Sequence, residues 1–520
     1  MTGKAPFRVI YSNDTTNILT CISPYHARRQ PFRPEMLEAT VDEVAGTGVD
    51  AHFIQLAHGQ VPWYRSKVYP IKEHIEWWKE HFGVDPMAVK PNSVHQYLLE
   101  GGDLLQVFVD RCRKTGQAPF VSLRLNDVHF ANHVHEKGNA DGQHAISRFY
   151  VENLDCRLGD DLNDWLQRTL DWSRDRVREH MFAMIEEQCE GYDIDGFELD
   201  FMRFPHFFDL ERTTSAERAG VMTGFVSRVR QLLDRTARPG RHRWLCVRIP
   251  AFRSAHDALG IDLAQWATAG VEMVNLSYHY FTEQDGDLAA IRELAPEVSM
   301  YVEMTHATAI GRNVTGGEHD NFTFRRTTPQ QFRTTAHLAY AAGLDGVSAF
   351  NFVYYREHGG AARGPFDEPP FEVFHSLREP ATVARGPHHY ILGNVWDCPP
   401  IPNRPLPRQV TPGATEDFRI QMAPPSGGWT ADGCLRIQAE EDLGDSRWSA
   451  QLNGHTLIET DRRVEPFGNP YSPMLGAANQ HRAWTVPADG LKNGVNDILV
   501  KMESGTQPVR LVFVDIAVEQ

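Results

Sequence analysis

Between residues 7 and 352 this 520-residue chain alternates eight short apolar runs with seven segments of helical spacing. The runs fall at 7–14, 49–57, 119–126, 191–205, 243–250, 271–280, 298–306 and 344–352. Helical segments are read at 34–44, 94–114, 166–189, 214–236, 262–269, 287–294 and 329–342. Eight strands alternating with helices predict a (β/α)8 TIM barrel of the α/β class. A doubly wound open sheet is the rival, but no Gly-rich phosphate loop follows the first strand. Long segments after strands two and three, the first rich in Trp63, Tyr64, Trp77 and Trp78, are expected to be functional loops or lids.

From about residue 378 the texture changes. The expected division is a barrel over 1–380, a Pro-rich linker over 381–408 and an all-β jelly-roll or sandwich over 409–520, where short strands and turn signals crowd together.

Alternation along each strand assigns the side chains that face the barrel axis. Strand three points Ser122, Arg124 and Asn126 inward, and strand four Glu198 and Asp200. Strand five gives Trp244, Cys246 and Arg248, strand six Asn275, Ser277 and His279, and strand seven Tyr301, Glu303 and Thr305. Strand one offers Tyr11 and Asn13, strand two Gln55, and strand eight either Phe350 or Asn351. A purely structural interior would be Val, Ile and Leu. Here charges gather toward the C-terminal strand ends, where barrel enzymes keep their active sites.

Composition narrows the partners. A net charge of −16 argues against a nucleic-acid binder. No run is long enough to span a membrane, and the opening Met-Thr-Gly-Lys-Ala-Pro carries no apolar leader. The seven cysteines are scattered without CxxC pairs, which predicts reduced thiols. A cytoplasmic protein is expected, or a periplasmic or secreted one that has been trimmed. Plentiful aromatics suit a sugar-binding surface and equally a large core.

The fourth strand carries the sharpest motif. In Asp195-Gly-Phe-Glu-Leu-Asp-Phe-Met-Arg-Phe-Pro205, Glu198 and Asp200 share one face, and Arg203 stands just past the strand as the expected partner of Asp200. A structural Asp–Arg pair is the bland alternative. The stretch resembles the DG-x-H-L-D-Y-x-R-Y-P strand of the glycosyl-hydrolase-like family ten barrels. Asp195, Gly196, Leu199, Asp200, Arg203 and Pro205 match that pattern, and Glu198 stands where the pattern has His. Residues 450–457 and 486–500 resemble the galactose-binding-like jelly rolls that accompany many glycosidases. These resemblances imply a glycosidase with a barrel catalytic domain and an accessory sandwich.

The chemistry expected is hydrolysis of an oligosaccharide by two carboxyl groups, one an acid and the other a nucleophile or base. Asp200, Glu198 and Glu303 are the candidates, with Asp200 or Glu198 facing Glu303 across the sugar. Arg124, Asn126, His129, Arg203, Arg248, Asn275, Tyr278, His279, Asn351 and Tyr11 are candidates for substrate binding. The arginines point to an acidic substrate, uronic or sulfated. A lyase or dehydratase using His129 or His279 with Arg124 or Arg248, and a non-catalytic sugar-binding protein, stay open. No cofactor is expected, although His129, His133 and His135 are spaced closely enough to be divalent-metal ligands.

Overall fold

The computed structural model describes residues 3–21, 23–25, 31–311, 324–356, 368–463, 467 and 476–519. Eight parallel strands close a barrel in sequence order: β1 (Val9–Asn13), β2 (Ala51–Ile54), β3 (Ala118–Arg124), β4 (Gly196–Asp200), β5 (Trp244–Pro250), β6 (Met273–Ser277), β7 (Ser299–Met304) and β8 (Gly346–Phe350). Closure is direct, with Val9 opposite Val347 and Ser12 opposite Phe350. Local sequence sets the helices around it. Asp103 caps Leu104–Thr115 by accepting the Gln106 N–H, and Gly116 ends that helix with a left-handed residue. Thr214 and Glu217 form a capping box at the start of Ser215–Thr236.

The barrel interior is layered. At its N-terminal end Ile10, Phe53, Phe120, Cys246, Met273 and Tyr301 make an apolar plug, with Phe53 stacked on Phe120 at 4.4 Å. Buried charged side chains of the interior begin only above it. The charged interior side chains therefore gather toward the C-terminal end.

Strand one is read one residue out of register by the sequence pattern. Tyr11 packs outward against His52, Phe352 and Phe374. Asn13 also lies on the outer side, bonded to His52 and Asn17. Ile10, Ser12 and Asp14 therefore point in. The polar atoms of Tyr11 and Asn13 imitate an inward face, but a polar cluster with His52 and Gln117 occupies the helix side. Other expectations shift too. Trp77 and Trp78 lie in a helix, Ile71–Phe82, not in a loop. Trp63 and Trp78 are core residues, 1% exposed. The helix predicted over 166–189 is Asp175–Gly191.

The C-terminal region is a two-sheet antiparallel sandwich. One sheet runs His388–Gly393, Val509–Val518, Gly433–Ala439, His481–Val486, Ile458–Thr460, with Arg408–Val410 beside Val509–Val518. The other runs Thr415–Met422, Gly494–Ser504, Arg447–Leu452, His455–Thr456. The expected 381–408 linker thus contains a strand of the sandwich. His388–Gly393 pairs with Phe513–Val518 over its whole length. Barrel and sandwich are bonded together. The Ile391 N–H donates to Gln284 at 3.0 Å, the His389 N–H to Thr334 at 2.8 Å, and Arg325 to Gln438 at 2.8 Å.

Candidate active site

Arg248, near the end of β5, is the hub. Its Nη1 donates to both oxygens of Asp200 at 3.0 and 2.9 Å. Nε and Nη2 donate to the two oxygens of Glu303 at 2.5 and 2.7 Å. Its guanidinium lies 4.2 Å from the Phe350 ring centroid, which settles strand eight with Phe350 inward. Glu303 is further held by Ser277 Oγ at 2.6 Å and Asn275 Nδ2 at 3.3 Å. Both its oxygens are thereby committed. Asp200 accepts the Met202 N–H at 2.7 Å as well. Strands four and seven do not face each other across open space, because the Arg248 guanidinium fills the gap. All three side chains are nearly inaccessible, at 2% for Asp200, 1% for Glu303 and 2% for Arg248.

Glu198 lies one layer deeper. It accepts from Ser122 Oγ at 2.7 Å and is approached by Cys246 Sγ at 3.5 Å and Asn275 Nδ2 at 3.4 Å. Burial, reinforced by the charge of Asp200, pushes its carboxyl up to about 7.

Arg124 makes a second hub on β3. It reaches Asp14 at 3.0 Å and Asp127 at 3.4 Å, with its Nε 3.9 Å from Asp200. The Tyr354 hydroxyl donates to Asp14 at 3.2 Å, and Gln55 reaches Asp127 at 3.5 Å. Asp127 also binds His129 Nδ1, so that ring's Nε2 is the acceptor for Arg203 Nε at 3.1 Å. Arg203 therefore pairs with His129, and Asp200 with Arg248. Burial, together with the charges of Arg203 and Arg124, brings His129 down to about 4, a neutral ring near pH 7. His279, beside the same arginines, is brought down to about 3, chiefly by burial.

Around the rim, Trp165 packs against Phe204 at 5.6 Å and His279 at 6.5 Å. Tyr280 contacts His306, Phe324 and Trp396 at 5.0 to 5.6 Å. Phe130, Phe204, His279 and Asn351 all carry positive φ (+64°, +52°, +72° and +49°) just beyond β3, β4, β6 and β8. Such backbone costs of order 1–3 kcal/mol per residue and gathers at functional sites.

The structure separates the other expected residues. Asn126 ties two loops together through Leu170 and His206 rather than facing the mouth. Tyr278 packs outward against Phe252 at 5.6 Å, away from the axis. Tyr11, as above, is also outside the site. His133 pairs with Glu136 at 2.7 Å, His135 is exposed, and His129 is spent on Asp127 and Arg203. Among the described residues no three His, Cys, Asp or Glu side chains group as metal ligands. The sequence pattern missed Asp14, Asp127, Trp165 and Tyr354. Asp14 follows the true inward parity of β1, and Asp127 stands three residues after Arg124, so both had a signal.

No family model matches the chain, and no curated protein matches it by sequence. Among solved structures it is similar to glycoside hydrolases. The PgaB glycoside hydrolase domain from Bordetella bronchiseptica aligns at 9% identity and TM-score 0.44, over 72% of this chain and 99% of that one. Alpha-L-fucosidase isoenzyme 2 from Paenibacillus thiaminolyticus gives 10% and 0.41, over 72% of this chain and 49% of its own. Alpha-amylase from Geobacillus thermoleovorans gives 10% and 0.38, over 96% and 99%. The chain thus spans about half the length of the fucosidase. The eight-stranded closed barrel is read from the strand register itself.

Proposed function

We propose that this chain hydrolyses glycosidic bonds in an oligosaccharide that carries acidic groups. The observation that supports it best is the convergence of Asp200, Asp14 and Asp127 on Arg124 and Arg248 at the C-terminal mouth. Asp200 is the carboxylate suited to meet positive charge developing at the anomeric carbon. It sits at a strand end with its orientation fixed by the Met202 N–H and Arg248. Glu303 acts as a positioning residue, because it accepts four hydrogen bonds from Arg248, Ser277 and Asn275, two on each oxygen, whereas the Asp200 oxygens share one Arg248 nitrogen and the Met202 N–H. Glu198 lies too deep to touch a sugar and tunes the strand from below. Proton transfer to the leaving oxygen then falls to Asp14 or Asp127, on the other prongs of Arg124.

Asp200→Asn and Glu303→Gln are assayed on oligosaccharides from acidic polysaccharides, with products identified by mass spectrometry. Asp200→Asn is expected to lose at least about a thousandfold in kcat/KM, and Glu303→Gln about ten- to a hundredfold. Parent rates for both variants would sink the hydrolase reading. Asp14→Asn and Asp127→Asn divide the acid role: the true acid's variant recovers on substrates with a dinitrophenyl leaving group, which needs no proton.

Elimination is the second reading. It is favoured by the neutral His279, whose Nε2 is buried without a hydrogen-bond partner among the described residues. An unsaturated product absorbing in the ultraviolet would select it over hydrolysis.

A further inference from the structure

The three arginines of the mouth are not equivalent. Arg124 and Arg248 are each clamped by carboxylates. Arg203 has no carboxylate within 4 Å among the described residues. Its bonds go through Nε and Nη2 to His129, a neutral partner, and its guanidinium carbon lies 5.1 Å from the Phe204 ring centroid. Asp127 fixes the His129 tautomer, so His129 can only accept, and this aims Arg203 while leaving its Nη1 unused. Arg168 lies against the same Phe204 ring at 5.2 Å, and among the described residues it too lacks a carboxylate partner, with Asn132 Oδ1 at 3.3 Å as its hydrogen-bond acceptor. Beside them His279 is 9% exposed, with its Nε2 unpartnered among the described residues. Trp165 packs on both Phe204 and His279 and joins the two halves.

Removing a guanidinium from water is costly unless an anion compensates it. The protein compensates Arg124 and Arg248 itself and leaves Arg203 to something else. A neutral imidazole with a free ring nitrogen is a costly orphan in the same way. Phe204 and His279 also hold left-handed backbone here, with φ of +52° and +72°.

We propose that Arg203, backed by Arg168 and His279, binds the carboxylate or sulfate group of an acidic sugar, a site set apart from the Asp200 carboxylate. The proposal rests on the reading of this mouth as a sugar site. Arg203 supplies its Nη1 and the remaining Nη2 hydrogen, an end-on edge that suits a planar carboxylate or two sulfate oxygens. His279 donates a further bond in the tautomer that protonates Nε2, and Trp165 offers an apolar face to the ring that carries the anion. His129 is the positioning residue that keeps Arg203 extended.

The test is calorimetric titration of the full chain with sodium sulfate, glucuronate and galacturonate, with glucose and galactose as neutral controls. The anions are expected to bind and the neutral sugars to bind at least tenfold more weakly. Arg203→Gln should weaken anion binding by about tenfold or more, Arg203→Lys by less, and Arg168→Gln by about threefold. Binding of sulfate alone identifies a sulfate ester as the ligand chemistry, and binding of the uronates a carboxylate. Anions that bind no better than neutral sugars overturn the proposal, as does unchanged anion binding in Arg203→Gln. If Arg203→Gln fails to fold, the parent's anion preference and Arg168→Gln still decide. A chain that binds uronates through Arg203 yet cleaves no glycosidic bond keeps this site and removes the hydrolase reading. Cleavage of neutral oligosaccharides without anion binding does the reverse.

Discussion

Arg248 neutralises two carboxylates with one guanidinium, at positions where Asp200 is 2% and Glu303 1% exposed. Arg248→Met leaves both buried without their cation, which costs roughly 3–5 kcal/mol. Denaturant unfolding should report that loss. Arg248→Lys should restore little of it, because one ammonium cannot donate along two parallel edges. Glu198 makes the opposite statement. Its carboxyl is raised from 4.5 to about 7 when folded, so the folded state holds a proton that the unfolded chain has released between those values. Stability from this group is therefore lost as pH rises through that window. Glu198→Gln stays neutral throughout and should flatten this part of the stability curve. An unchanged slope would mean that Glu198 is ionised in the fold. At this scale the sequence was informative but uneven. Alternation placed Ser122, Arg124, Glu198, Asp200, Arg248, Asn275, Ser277 and Glu303 inside the barrel, where they are found. It could not assign partners. Arg203 is three residues from Asp200 yet turns to His129, because Arg248 from the neighbouring strand reaches Asp200 first.

Among the elements, β4 shows why glycine opens the strand. A Cβ on Gly196 would lie 2.1 Å from Phe120 Cε1 and 2.6 Å from the Trp244 carbonyl. Gly196→Ala must push into the Phe53–Phe120 stack and the neighbouring backbone, at a cost of roughly 1–3 kcal/mol. Thermal unfolding checks it, and a variant as stable as the parent would show that the apolar plug is loosely packed. The signal for this packing was in the Asp-Gly entry to the strand, but the clash itself is non-local. The same limit explains β1. Nothing within Val9-Ile-Tyr-Ser-Asn13 tells which of two alternating faces meets the helices. His52 and Gln117, far along the chain, decide it by taking the polar atoms to the outside.

For the whole molecule, buried histidines dominate the response to acid. His52, His74, His95 and His279 are brought down to about 3, and His129, His180, His206, His388 and His481 to about 4, in every case mainly by burial. Each stays neutral in the fold at pH values where the unfolded chain takes up a proton. Their contribution is present above the unfolded value of about 6.5 and is lost as pH falls toward 3 or 4. Glu43, Glu198 and Glu283, all raised to about 7, work the other way but are fewer. Melting temperature should therefore fall as pH drops below about 6.5, with net proton uptake on unfolding. A flat profile from pH 7 to 5 would contradict the burial of these rings.

The sequence by itself determined the order of eight strands and, on β3, β4, β5 and β7, the charged residues Arg124, Glu198, Asp200, Arg248 and Glu303 that line the barrel. Those follow from local periodicity, which a single segment carries. Turn signals and short strands, which are local too, pointed to an all-β region near the C-terminus but not to where it begins. Only the tertiary structure decided which cation meets which carboxylate, and that His388–Gly393 belongs to the sandwich and not to a linker. Only it set Arg203 apart as the mouth arginine without an acid partner among the described residues. Pairing depends on which side chains arrive from other strands, and that is a property of the closed barrel rather than of any stretch of chain.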